Sequence, residues 1–330
     1  VAKGLGMTNK AFHEMSSEEQ RNWWYQLAYS VLEQHFSIDD AKVKWLAYTH
    51  NAVFDVTSPN HDDHWVLRIG QPASSRNLAS EIEVLRSINK HGLIAPFPEK
   101  SLELDIMSAL LLTYVEGYSV DSNEVTIDEM QSIGIFLARF HAIEIYQPLN
   151  RLKLDYNGLL SKDGIYYPGD ENMRVFTDEQ ILVMDAVAEK VKGAMDELGQ
   201  DDSEFGLIHG DLLLKNILFH EGEVRALDFE YCGWGYYLYD LTPLLWQLKP
   251  QERYPQLEQA LWDGYTSIRP LTERHRELLE TFIAGRQVAS MRWIAANQQN
   301  PHVVGKVEAI LSQRTAELQA FLETAILNRR

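Results

Sequence analysis

The chain has a single cysteine, Cys232, among 330 residues. One thiol excludes an intrachain disulfide and a cysteine-based zinc site, and it fits a reducing compartment. No apolar run approaches the ~18 residues that a membrane span needs. The first residues, Val1 to Gly6, carry no hydrophobic core like that of a signal peptide. The expectation is a cytoplasmic protein without a membrane partner. Positive charge is also scarce: 30 Lys and Arg stand against 48 Asp and Glu, a formal net charge of −18. A nucleic-acid surface needs a basic patch, so this charge argues against that class. An acidic chain can still bind a nucleotide through a few local cations, Mg²⁺ and backbone N–H groups. Repeats and low-complexity tracts are absent as well.

What is present is an ordinary globular balance, 45% hydrophobic and 24% charged. A chain of this length is long for one core and suits two lobes. Ser16 and Ser17, with Glu19 and Gln20, offer capping-box spacing ahead of Trp23, Trp24, Leu27, Val31, Leu32 and Phe36, which predicts a helix over about 17–35. Val43 to Tyr48, Ala52 to Thr57 and Trp65 to Ile69 read as strands, with a strong turn at Ser58 to Asp63. His61-Asp-Asp-His64 has a metal-like composition but lies in that turn, and the turn reading is preferred. Leu78, Ile82, Leu85 and Ile88 predict a helix over about 75–90, with Gly92 placed as its cap and Pro96 and Pro98 beyond. Ala109 to Val115 is an apolar strand ending at Glu116-Gly117. Residues 1–116 are therefore expected to form a first lobe of strands and helix. Residues 117–330 are expected to form a mostly helical second lobe. Its helices fall over about 130–141 and 177–198 and from Tyr239 onward, with a loop at 151–170 and strand, loop, strand at 205–230.

Chemistry concentrates in Leu207 to Phe219 and in Ala226 to Glu230. Asp211, Asn216 and Asp228 stand five and twelve residues apart, the layout of a kinase catalytic loop and its metal-binding strand. In that layout Asp211 is the base that accepts a hydroxyl proton. Asn216 and Asp228 are oxygen ligands suited to Mg²⁺. His209 and Asp240 brace the loop, and Gly210 allows a tight backbone turn. Phosphate clamping falls to Arg68 at the end of its strand, paired with Glu81 on the next helix. Glu83 is the rival partner, but two residues apart on a helix the two carboxylates cannot both face inward. Leu111 to Gly117 is read as the hinge joining the lobes, with adenine held by the Thr113 C=O and the Val115 N–H.

These motifs resemble the aminoglycoside phosphotransferase/choline kinase superfamily of small-molecule kinases. Its pattern of His-Gly-Asp-Leu-x-x-x-Asn, Ile/Leu-Asp-Phe/Trp, Gly and Asp-Leu is found at His209 to Asn216, Leu227 to Phe229, Gly233 or Gly235, and Asp240-Leu241. Trp65 to Arg68, Glu81 to Arg86 and Leu137 to His141 are similar to further family landmarks. The likeness runs from about residue 45 to 250 and weakens in the C-terminal helices. Cys232 to Asp240 looks most like bacterial stress-response kinases and type-II homoserine kinases. Asp228 to Tyr231 is similar to choline and ethanolamine kinases, which usually show His-Asn-Asp where this chain has His-Gly-Asp. The resemblance implies an α+β, bilobal, protein-kinase-like fold: an N-terminal antiparallel sheet plus helix, then a mostly helical C-terminal lobe. It also implies ATP and Mg²⁺ as cofactors.

Two departures stand out. Ala47 to Asn51, where the family turns on glycine, contains none. Side chains of Thr49 and Asn51 are then the candidates for helping to cradle phosphate. Second, only twelve residues separate Asp228 from Asp240, too few for the activation segment of a protein kinase, which favours a small acceptor. Glu230, Tyr231 and Trp234 are candidates for binding that acceptor, through charge or aromatic stacking on an amine, with packing as the competing role. The leading expectation is phosphoryl transfer to a hydroxyl of an aminoglycoside, amino alcohol, homoserine-like or choline-like molecule. The alternatives are a stress-response-type Ser/Thr protein kinase and a catalytically silent nucleotide-binding scaffold.

Overall fold

The computed structural model describes residues 15–48, 51–70, 78–105, 107–145, 149–300 and 302–329. The chain divides into two compact units, Val1–Glu116 and Gly117–Arg330.

The first unit opens with α1 (Ser17–Gln34). The Ser16 hydroxyl accepts from the Glu19 N–H at 3.2 Å, and the Glu19 carboxylate accepts from the Ser16 N–H at 2.6 Å. This reciprocal cap satisfies two backbone donors that the first turn leaves orphaned. There follow β1 (Lys42–Tyr48), β2 (Asn51–Thr57), β3 (His64–Gly70), α2 (Leu78–Lys90), β4 (Pro98–Leu104) and β5 (Met107–Thr113). The strands form one antiparallel sheet in the order β1-β2-β3-β5-β4. Alternation decides which face is buried: Ala52, Phe54 and Val56 of β2 and Trp65, Leu67 and Ile69 of β3 point one way. They share a core with Trp24, Leu27, Val31, Leu32 and Phe36 around α1. The antiparallel sheet plus helix expected of the family is thus present.

Three local expectations are corrected. Residues 98–104 form a strand, β4, where the two prolines suggested only a connection. It is an edge strand with an exposed, charged pattern, so it lacks the apolar run of an interior strand. The apolar strand expected over 109–115 runs instead from Met107 to Thr113. The stretch read as loop over 151–170 holds β6 (Leu152–Leu154), α4 (Tyr156–Leu160) and the start of α5 (Asp170–Met173).

The second unit begins its helices with α3 (Ile127–Phe140) and continues, after β6 to α5, through α6 (Asp178–Leu198), β7 (Phe205–Ile208), β8 (Ile217–His220), β9 (Glu223–Ala226) and β10 (Gly233–Tyr236). It ends in α7 (Tyr237–Asp240), α8 (Thr242–Leu248), α9 (Tyr254–Thr266), α10 (Glu273–Ala296) and α11 (Val307–Thr324). A small sheet in the order β6-β10-β7 carries the chemistry-bearing loop at the end of β7, and β8 and β9 form a hairpin beyond it. β10 was not anticipated, because two of its four residues are glycines, which weaken a strand signal. α3 and α9 meet at paired glycines. A Cβ on Gly134 would lie 2.2 Å from the Leu261 carbonyl, and one on Gly264 would lie 2.0 Å from that of Gln131. α10 packs against α6, α8 and α11 and is buried around most of its circumference. Among the described residues, no helix is long and apolar enough to cross a membrane.

Candidate active site

The loop after β7 is held from beneath by one carboxylate. Asp240 has no solvent exposure. Its Oδ2 accepts from the His209 backbone N–H at 2.7 Å and its Oδ1 from that of Gly210 at 2.7 Å. His141 lies 3.0 Å from Oδ2 through Nε2, and its Nδ1 lies 2.8 Å from the Tyr265 hydroxyl. An ionised Asp240 requires Nε2 to be the donor, so Nδ1 accepts the Tyr265 proton. Burial pushes His141 below the ordinary histidine value, against the raising influence of Asp240. Asp240 feels the same burial penalty, but the His141 hydrogen bond, the charges of His141 and His209 and the His209 N–H outweigh it and hold the carboxyl down. Gly210 turns at φ +81°, and a Cβ there would meet the Tyr231 carbonyl at 2.7 Å, so glycine is required on two counts.

The rest of the loop is tied backbone to side chain. The His209 ring Nε2 donates to the Leu227 carbonyl at 3.0 Å, leaving Nδ1 to accept the Asp211 N–H at 3.4 Å. Leu214, Lys215 and Asn216 form one 3₁₀ turn, and the Leu214 N–H donates to Gln247 Oε1 at 3.0 Å. Asn216 donates through Nδ2 to the Asp211 carbonyl at 3.0 Å, which turns its Oδ1 away from that bond. The Leu227 N–H donates to the Asn216 carbonyl at 2.8 Å and brings Asp228 alongside. Asp228 adopts φ +63° and ψ +66°, a left-handed conformation that a non-glycine residue occupies at a cost. Its carboxylate is exposed and makes no hydrogen bond or ion pair among the described residues. An amide oxygen and a free carboxylate are a hard donor set.

Sequence reasoning missed two arginines. Arg151 donates from Nε to the Cys232 carbonyl at 2.6 Å, and from Nη2 to the carbonyls of Phe229 at 2.9 Å and Glu230 at 2.7 Å. It fastens the turn that follows Asp228. Arg286 of α10 places Nη2 2.5 Å from Asp211 Oδ1 and Nη1 2.9 Å from the Tyr166 hydroxyl. Burial alone would depress Arg286, but Asp211, Tyr166 and Tyr239 around it keep it well above the ordinary arginine value.

The acceptor candidates fall in three settings. The Trp234 indole N–H, on β10, donates to the Leu149 carbonyl at 3.2 Å. Tyr231 stacks on Tyr166 with ring centroids 5.9 Å apart and planes 12° from parallel. Glu230 is half-buried, with its carbonyl held by Arg151.

In the first unit, Arg68 on β3 binds Glu81 bidentately, Nη1 to Oε1 at 2.8 Å and Nη2 to Oε2 at 2.7 Å. Both side chains are largely buried, and Glu83 instead faces outward toward Arg86 at 3.2 Å. Thr113 ends β5, its hydroxyl accepting from the Phe97 N–H at 2.8 Å, and Val115 lies buried just beyond. Asn51 begins β2, opposite Gly70. Thr49 lies outside the described residues.

Comparison with known proteins agrees with this architecture. A model of the phosphotransferase enzyme family matches residues 47–278, and the chain belongs to that family. The expected membership of the aminoglycoside phosphotransferase/choline kinase superfamily is borne out. An uncharacterized protein of Deinococcus radiodurans is 32% identical over 152 residues, 44% of this chain and 43% of that protein. Ethanolamine kinase 1 of Mus musculus is 27% identical over 170 residues, 49% of this chain and 44% of that one. The matches therefore span less than half the length of these two curated relatives. Among solved structures, a microcompartment-associated aminopropanol kinase superposes with a TM-score of 0.76 at 19% identity, covering 91% of this chain and 99% of that one. That likeness shows the fold.

Proposed function

We propose that the protein transfers the γ-phosphoryl group of ATP to a hydroxyl of a small molecule. The observation that carries this reading is the loop from His209 to Asp228, which presents Asp211, Asn216 and Asp228 on a backbone fixed by Asp240. Phosphoryl transfer asks for positioning and charge stabilisation more than for covalent chemistry. Asp211 orients the acceptor hydroxyl and takes its proton. Asn216 and Asp228 would hold Mg²⁺, which when bound neutralises charge on the phosphates. No group of three or more His, Cys, Asp or Glu among the described residues could hold a metal alone. Mg²⁺ usually binds through one or two carboxylates together with substrate phosphates, so this sparse donor set suits a metal that arrives with nucleotide. Arg68, aligned by Glu81, supplies a fixed cation for phosphate. Thr113, Val115 and Asn51 remain the candidates for adenine and phosphate contacts.

A small acceptor is favoured over a peptide. Residues 229–240 are used up by one 3₁₀ turn, β10 and α7, with nothing left to form a peptide platform. The names of relatives point the same way: ethanolamine kinases, homoserine kinases and an amicoumacin kinase. Glu230, Tyr231 and Trp234 stay as acceptor candidates. An ADP-release screen over amino alcohols, homoserine, choline, aminoglycosides and sugars, with and without Mg²⁺, tests the reading. Silence across the panel would support a nucleotide-binding scaffold instead, and transfer to a casein-like protein would support a protein kinase. Asp228→Ala is expected to weaken Mg²⁺-dependent nucleotide binding roughly tenfold or more, about 1.4 kcal/mol per tenfold, by titration calorimetry. Unchanged affinity would remove Asp228 from the metal site.

A further inference from the structure

One buried charge beside the proposed base has no task in the reaction as described. Arg286 lies midway along α10, 7% exposed, within the apolar run Phe282, Ile283, Ala284, Val288 and Ala289. Its guanidinium stands 5.6 Å from the Tyr166 ring centroid and 5.9 Å from that of Trp246. Tyr231 stacks in turn on Tyr166. Arginine carries five N–H donors in a rigid fork. One nitrogen, Nη1, serves the Tyr166 hydroxyl and another, Nη2, serves Asp211 Oδ1, while Nε is buried with no hydrogen-bond partner among the described residues.

Stability does not account for this arrangement. Withdrawing a guanidinium from water is costly, and a well-packed apolar side chain of similar volume often does as well or better. An unpartnered Nε–H adds to that cost. What the arrangement does achieve is immobility of Asp211. The loop holds the main chain of Asp211 at both ends, its N–H by His209 Nδ1 and its carbonyl by Asn216 Nδ2. Arg286 holds the side chain from a helix 75 residues away in sequence, and the rings of Tyr166 and Trp246 lie against Arg286.

We propose that Arg286 is the positioning residue for Asp211. It fixes one carboxylate oxygen, Oδ1, and thereby aims the other, Oδ2, at the acceptor hydroxyl. The proton passes from that hydroxyl to Oδ2 as the oxygen forms its bond to the γ-phosphorus and the ADP oxygen departs, and Arg286 itself neither gains nor loses a proton. This inference rests on the reading of Asp211 as the base.

The test compares the wild type with Arg286→Met, Arg286→Lys, Tyr166→Phe, Asp211→Asn and the double variant Asp211→Asn/Arg286→Met. Initial rates of ADP release are measured with an acceptor that the wild type turns over, and folding is followed by near-UV circular dichroism. Arg286→Met should lower kcat roughly a hundredfold, with KM for ATP within about twofold of wild type, because a misplaced reacting group costs turnover rather than nucleotide affinity. Arg286→Lys should recover about tenfold of that loss, and Tyr166→Phe should lose a few-fold, because each keeps part of the clamp. In the double variant, loss of Arg286 should add nothing to loss of Asp211. Wild-type kcat in folded Arg286→Met overturns the proposal. Should that variant not fold, wild-type kcat in both Arg286→Lys and Tyr166→Phe does the same. A faster Arg286→Met enzyme would make the ion pair inhibitory, which also overturns it. Undiminished turnover in Asp211→Asn would instead remove the reading of the base.

Discussion

Asp211→Asn is expected to lower phosphoryl transfer by roughly 10²–10⁴-fold, the span general-base catalysis contributes, while nucleotide binding stays close to wild type. The substitution is nearly isosteric, so the loop should keep its shape. The Asp211 N–H still meets His209 Nδ1 and its carbonyl still meets Asn216 Nδ2, because both bonds use the main chain. Two things change at the side chain. An amide oxygen has far less affinity for a proton than a carboxylate. The amide can still accept from Arg286, but only by turning its NH₂ toward the acceptor hydroxyl, where a donor now stands in place of a base. The measurement is single-turnover transfer with an acceptor identified by ADP release, alongside calorimetry for nucleotide. A variant that keeps its turnover would show that the base lies elsewhere. A variant that loses nucleotide affinity in proportion to rate would show that Asp211 serves binding instead.

Particular residues show how much of this molecule can be read from sequence. α1 was legible because a capping box opens it at Ser16 and an apolar stripe follows, whereas the boxes that open α3 at Thr126 and α6 at Thr177 were not read from the sequence. β2 and β3 were legible because one face is buried and the other is not, which writes the period of two into the chain. The sequence named Glu81 as the Arg68 partner with Glu83 as its rival, and the structure pairs Arg68 with Glu81 and Glu83 with Arg86. β4 was hidden because an edge strand is protected by charge and proline, the residues that otherwise argue against a strand. Arg286 was hidden for a different reason. Its partner Asp211 is 75 residues away, and no local rule links them. A signal was nonetheless present: an arginine amid apolar residues in mid-helix, flanked by Ile283, Ala284, Val288 and Ala289, is buried only if something pairs with it. Arg151 was harder to find, because the Cys232, Phe229 and Glu230 groups it bonds are backbone carbonyls that any sequence supplies.

The second large effect is expected at Asp240, and it concerns stability before chemistry. Asp240→Ala removes the acceptor of the His209 and Gly210 N–H groups and of His141 Nε2, leaving three buried donors unmatched at once. Breaking a buried, hydrogen-bonded charge network by deleting one member typically costs about 3–5 kcal/mol. That is a large share of the roughly 5–15 kcal/mol by which folded domains are stable. Asp240→Asn should do somewhat better, keeping one acceptor oxygen but facing an N–H with its own NH₂. Urea denaturation followed by circular dichroism measures both, and a loss under about 1 kcal/mol in the alanine variant would refute the bracing role. The same network sets an acid limit. His141 titrates lower in the fold than in the unfolded chain, so as pH falls through the ordinary histidine value of about 6.5 the unfolded state takes up the proton first and stability declines. Asp240 is also held down, so its contribution is present above the unfolded carboxylate value of about 3.9 and is lost as pH falls through the folded one. Both slopes have the same sign. Wild-type stability should therefore fall steadily on acidification from near neutral. In Asp240→Ala the Asp240 part of the acid loss is gone and the burial penalty on His141 is no longer opposed, so the decline should concentrate in the histidine range.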